Sequence, residues 1–154
     1  CREINDPDGL SSALADQALI MKNSGDLDQA INLLQESEQI CLEHDFIDRL
    51  QWIYGVQGDI CYMQNENERA FDKYNKQEEI CRKINHSDGL SSSLANQAMI
   101  MKIWGQRDYA LALLFEAEAI CTEHGFEDRL AWINELLLDI YNLDDDFGAS
   151  EGLF

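Results

Sequence analysis

The stretch INDPDGLSSALADQALIMK, Ile4 to Lys22, returns as INHSDGLSSSLANQAMIMK, Ile84 to Lys102. EHDFIDRLQWI from Glu43 likewise returns as EHGFEDRLAWI from Glu123, so that residues 1–60 recur at 81–140 with an offset of 80. A shorter step of 40 lies beneath the longer one. Asp8, Asp48, Asp88 and Asp128 each precede Gly-Leu or Arg-Leu, and Cys1, Cys41, Cys81 and Cys121 fall at the same interval, as do Ala30, Ala70 and Ala110. A fixed period of this length marks a repeat architecture, in which one unit cannot bury its apolar face alone and is stabilised by stacking on its neighbours.

Forty residues hold two helices of four to five turns and two short connections. Leu14, Ala18 and Met21 share one helical stripe, and Ala30, Leu33, Leu34 and Ile40 share another. Gly25 and Gly105 stand between stripes, where a helix must stop, and Asp26 is placed to cap the next one. The spacing predicts about seven helices, over 8–24, 27–44, 47–64, 67–84, 88–104, 107–124 and 127–142. They group into units at 8–45, 46–85 and 86–125 with a partial unit at 126–143: an all-α superhelix, or solenoid, of antiparallel helix pairs.

Both ends interrupt the period. Residues 1–5 match residues 81–85 and so read as the end of a preceding helix, which implies a longer parent protein. Leu136, Leu137 and Leu138 cannot all face inward on one helix, so a cover is expected from further repeats, a second copy or the tail. Residues 144–154 read as an acidic and apolar tail without helical period, either a flexible end or a short docking motif built on Phe147, Leu153 and Phe154.

The pattern resembles the tetratricopeptide repeat family, in its long-repeat variety found in kinesin light chain-like arrays. The family's first-helix positions are held by Leu14, Gln17-Ala18 and Met21, then by Tyr54, Gln57-Gly58 and Cys61, then by Leu94, Gln97-Ala98 and Met101. The last helix gives Asn134, Leu137-Leu138 and Tyr141. The second-helix pairs are Ala30 with Leu34, Ala70 with Tyr74 and Ala110 with Leu114. The small residues permit close approach of two backbones. The chain departs from the family in two ways. Its unit is 40 residues rather than about 34, with the extra turn expected around the connection between units, and Leu42, Arg82 and Thr122 stand where a closing Pro is usual.

Composition narrows the function. The 154 residues are 45% hydrophobic, with 30 Asp and Glu against 11 Lys and Arg, a formal charge of -19. Such a surface repels nucleic acid and anionic lipid, and no apolar run is long enough to span a membrane. Basic or apolar protein partners fit it better. The cysteines have no short ligand spacing, and those one unit apart lie beyond disulfide reach. They read as small buried hydrophobes of a reducing compartment, hence the cytoplasm. His44 and His124 end equivalent helices, where a cation suits the dipole, and His86 lies in a connection without a matched partner. No Gly-rich phosphate loop, Ser elbow or His-Glu zinc pattern occurs. The chain is therefore expected to be no enzyme and to need no metal or cofactor.

The resemblance implies that the first helix of each pair lines a concave, partner-binding face. Helical spacing then puts Asp16, Leu19, Lys22 and Asn23 on that face, followed by Trp52, Gly55, Asp59, Tyr62 and Met63. Asn96, Met99, Lys102 and Ile103 follow, and then Trp132, Glu135 and Asp139. Lys22, Trp52, Asp59, Tyr62, Asn96, Met99, Lys102 and Trp132 are the expected contacts to a protein or peptide. Trp52 and Trp132 recur 80 residues apart, which also suits packing between repeats. Two other functions fit the pattern: a homo-oligomeric element that self-assembles through the leucine-rich last helix, and a regulatory sensor for a signal peptide or small ligand.

Overall fold

A computed structural model describes the backbone of residues 6–152 and the side chains of residues 6–142. The helices are α1 (Pro7–Ser24), α2 (Leu27–His44), α3 (Ile47–Met63), α4 (Asn67–Ile84), α5 (Ser87–Ile103), α6 (Arg107–His124) and α7 (Glu127–Gly152), with no strand among the described residues. The first six bounds agree with the spacing to within one residue. The last helix does not stop near 142 but runs to Gly152. LDDDFGASE holds no proline, and its one glycine costs a helix only about 1 kcal/mol, so nothing local forces a stop. The side chain of Phe147, together with Leu153, Phe154 and residues 1–5, lies outside the described residues.

The helix ends explain the period. Pro7, the one proline in the sequence, opens α1, where a missing N–H is harmless. Asp6 and Asp26 accept from the backbone N–H groups of Gly9 at 2.9 Å and Gln29 at 3.2 Å, capping α1 and α2. His86 does the same for Gly89 through Nδ1 at 3.0 Å. Gly25, Asp45, Asn65, Asn85, Gly105 and Gly125 all have φ between 56° and 92°, one left-handed residue every twenty positions. The residue after each of them donates its N–H to the carbonyl five residues back. Asp26 donates to the Met21 carbonyl at 2.9 Å, Phe46 to Cys41 at 3.0 Å, and Glu66 to Cys61 at 2.8 Å. His86 to Cys81 at 2.9 Å, Gln106 to Met101 at 2.8 Å and Phe126 to Cys121 at 3.0 Å repeat it. Each of the helices α1 to α6 thus ends in a Schellman turn that reverses the chain.

This corrects the expected place of the extra residues. Two residues, Asp45 and Phe46, join α2 to α3, too few for an added turn between units. Helices of 17 and 18 residues absorb the added length instead.

The chain divides into two compact units, one reaching Gly89 and the other beginning at Leu90. In the first, α1 packs on α2, α2 on α3, and α3 on α4, while α1 also touches α3. Its core holds Ala18, Ala30, Leu34, Ile53 and Ile60, all fully buried. Burying one such Leu or Ile contributes about 1.5–3 kcal/mol. Gly58 allows α4 to close on α3, because a Cβ there would lie 2.6 Å from Cε1 of the fully buried Tyr74 ring. Polar pairs repeat with the period. Ser37 Oγ donates to the Ser11 carbonyl at 2.8 Å, and forty residues on Gln77 Nε2 donates to Gln51 Oε1 at 3.1 Å.

In the second unit α6 packs on α7, and the core gathers Leu94, Ala98, Ala110, Leu114, Cys121, Ile133 and Ile140. The three leucines of α7 separate as one helix requires: Leu136 and Leu137 are each 7% exposed, whereas Leu138 is 59% exposed. Cys41, Cys61, Cys81 and Cys121 are buried, unpaired thiols, as their spacing implies.

Candidate functional site

The expected face is made by the first helices, α1 and α3 in the first unit and α5 and α7 in the second. In the first unit, Ser12, Ala15 and Asp16 of α1 and Asp48, Arg49 and Trp52 of α3 line an open pocket of about 320 Å³. On each helix the outermost of these residues sit one turn apart, Ser12 with Asp16 and Asp48 with Trp52, so two short edges face each other where α1 meets α3. Trp52 is half-buried, with part of its indole against the unit's core and part on the pocket wall. Packing and exposure to a ligand are therefore compatible at this residue.

Arg49 is fixed in place. Its Nη1 lies 2.6 Å from Asp8 Oδ1 and 2.7 Å from Ser11 Oγ, and its guanidinium carbon is 5.8 Å from the Phe46 ring centre. Phe46 in turn stacks on His44, centroids 5.6 Å apart. The arrangement recurs eighty residues later. Arg129 Nη1 donates to Ser91 Oγ at 3.0 Å and lies over Phe126, which stacks on His124 at 5.5 Å. Asp16 and Asp48 are exposed and have no hydrogen-bond or ion-pair partner among the described residues.

Further along the face, Lys22 Nζ stands 4.0 Å from Asp59 Oδ2. The Tyr74 hydroxyl donates to Asp59 Oδ1 at 2.5 Å. Burial pushes the Asp59 carboxyl above its ordinary value, against the lowering pull of the Tyr74 hydroxyl and the Lys22 ammonium. Burial, then the Asp59 charge, pushes the Tyr74 phenol up as well. In the second unit Lys102 Nζ reaches Asp139 Oδ2 at 3.3 Å. The lysines expected to meet a partner are thus each engaged by an aspartate of the next first helix.

The remaining expected contacts are distributed over the face. Tyr62, Asn96 and Met99 are half-buried, and Trp132 is half-buried against the second core. Gly55 does not look onto the face: a Cβ there would lie 2.9 Å from Gln77 Nε2 of α4. The structure brings Trp52 together with Asp16, and Lys22 with Asp59. It adds Ser12, Ala15, Asp48 and Arg49, which the spacing alone did not single out as site residues. Asp48 precedes Trp52 by one helical turn, and that interval is the signal that would have found it.

Three of the buried cysteines are poorly suited to act as nucleophiles. Burial raises the thiol pKa of Cys41 and Cys61 and pushes that of Cys81 up to about 12, which disfavours the nucleophilic thiolate. No group of three His, Cys, Asp or Glu is placed to hold a metal among the described residues, and no helix there is long and apolar enough to cross a membrane.

Among solved structures the chain is similar to BtubC (BKLC) from P. vanneervenii, with a TM-score of 0.83 and 21% identity. The match covers 99% of this chain and 63% of that one, so the chain spans less than two thirds of the neighbour's length. At this identity the likeness shows the fold alone, a helical repeat. No protein-family profile matches the chain, and no curated protein matches it in sequence.

Proposed function

We propose that the chain is a tetratricopeptide-like module of the long-repeat variety that binds a peptide or protein partner on the face of its first helices, as a scaffold rather than an enzyme. The observation that carries this is the open pocket of about 320 Å³ at Trp52, on the face that the resemblance to the repeat family implies for a partner. An aromatic wall beside polar groups is the composition of a side-chain anchor site. The likeness of the fold to BtubC (BKLC) supports the repeat architecture and leaves the partner open.

The test is selection of a random-peptide library on the immobilised chain, followed by fluorescence polarisation of the enriched peptides. Trp52→Ala is expected to weaken them at least tenfold, as an anchor residue does. Ser12→Leu, which fills the pocket from α1, checks the result without cutting into the core. Failure to enrich any peptide, or peptides indifferent to both variants, would remove this function.

Self-assembly through α7 has an observation of its own. Leu138 and Tyr141 are 59% and 40% exposed on its free side.

A further inference from the structure

The geometry points to a cationic side chain, a Lys or Arg of the partner peptide, as the occupant of the Trp52 pocket. This rests on the peptide-binding function proposed above and specifies its chemistry. The lining is unequal in charge. Asp16 and Asp48 are exposed and unpaired among the described residues, while the one cation, Arg49, is already held by Asp8 at 2.6 Å. With Asp8 included, three carboxylates face one guanidinium. Trp52 adds an aromatic wall, and an indole attracts a cation that lies over its π-face.

The alternative occupants fit worse. An acidic side chain would meet two bare carboxylates in a chain of charge -19. An aliphatic side chain would strip water from those carboxylates and give them no partner in return, which is costly. A cation satisfies both carboxylates and the ring, and the field of the whole chain draws it in. The volume exceeds that of one side chain, so a guanidinium or ammonium enters with some of its water.

The repeat supplies an internal comparison. Eighty residues on, the lining positions read Ser92, Ala95, Asn96, Asp128, Arg129 and Trp132. Only Asp16 has changed, to Asn96, so the position that differs is one of the two free carboxylates. Asp16 is the residue that makes the first set the more cation-selective.

The experiment uses the peptides enriched on the whole chain. Each Lys is replaced in turn by norleucine and each Arg by citrulline, which keep shape and remove charge. One basic residue is expected to matter: its replacement weakens binding at least tenfold to the unaltered chain and less than twofold to D16N/D48N. Raising salt from about 50 to about 500 mM is expected to narrow that gap, since the pocket is open to solvent. D16N alone, a change of one exposed group on α1, serves as the readout if the double variant melts early. Peptides that depend on Trp52 but on no basic residue, or whose basic residue matters equally to D16N/D48N, would overturn the cation pocket and leave peptide binding standing. Absence of any enriched peptide would overturn both.

Discussion

Asp59 shows how one residue is caught between opposing forces. Its carboxylate accepts from Tyr74 and lies 4.0 Å from Lys22, both of which favour the charged form, yet burial outweighs them and raises its pKa. A raised folded value means that the native state holds the proton more tightly than the unfolded chain does. Asp59 therefore favours folding at a pH below its unfolded value, and that contribution is lost as pH rises through the folded value. Asp59→Asn keeps an acceptor for the Tyr74 hydroxyl and removes the buried charge. Urea denaturation at about pH 4 and about pH 7 should find the variant gaining on the unaltered chain at the higher pH. A gap that stays flat or closes with rising pH would mean that attraction to Lys22 outweighs burial. The Lys22 and Asp59 pair was out of reach for spacing rules, because 37 residues separate them and only the meeting of α1 with α3 joins them.

The helices owe their regularity to the residues that end them. Sequence spacing identified Gly25 and Gly105 as stops, but Asp45, Asn65 and Asn85 do the same work with φ near +58°. They were less legible because Asp and Asn also serve as N-caps and surface residues, whereas Gly between two apolar stripes has fewer roles. A Cβ built at Gly25, Gly105 or Gly125 meets nothing within 4 Å, so replacement there strains backbone alone. Gly25→Ala and Gly105→Ala should each lose about 1 kcal/mol, while Asn65→Gly and Asp45→Gly should each gain a few tenths to about 1 kcal/mol. Thermal melts of the four variants decide the matter, and equal melting temperatures would deny these turns their role.

At the scale of the molecule, α7 differs from the helices it matches. The stripe that α1 fills with Leu14, Ala18 and Met21, and α5 with Leu94, Ala98 and Met101, is Asn134, Leu138 and Tyr141 in α7. Its last two members are exposed, whereas Ala18 and Ala98 are buried in the cores of their units. Leu138 also puts a large side chain where the other helices have Ala or Gly, so a partner helix would sit farther away. If self-assembly uses this side, L138S/Y141S should turn an oligomer into a monomer by sedimentation at tens of micromolar. An unaltered chain that is already monomeric would end that alternative. Stability of the variant should change by less than about 0.5 kcal/mol, the range for exposed positions away from special contacts.

The sequence by itself determined the helices and the repeat, because apolar spacing, small residues at close crossings and turn residues are local properties that return every 40 positions. Helical periodicity also set which residues share a side with Asp16 on its helix and with Trp52 on its own, and the resemblance to the repeat family implied that those sides form one face. The tertiary structure alone decided which groups meet: that Arg49 is spent on Asp8 and Ser11, that each face lysine meets an aspartate, and that a gap remains between Trp52 and Asp16. The reason is physical. Periodicity fixes the direction of a side chain from its own helix axis, whereas pairing and cavities depend on the distance between axes, which is set by the bulk of every residue packed between them.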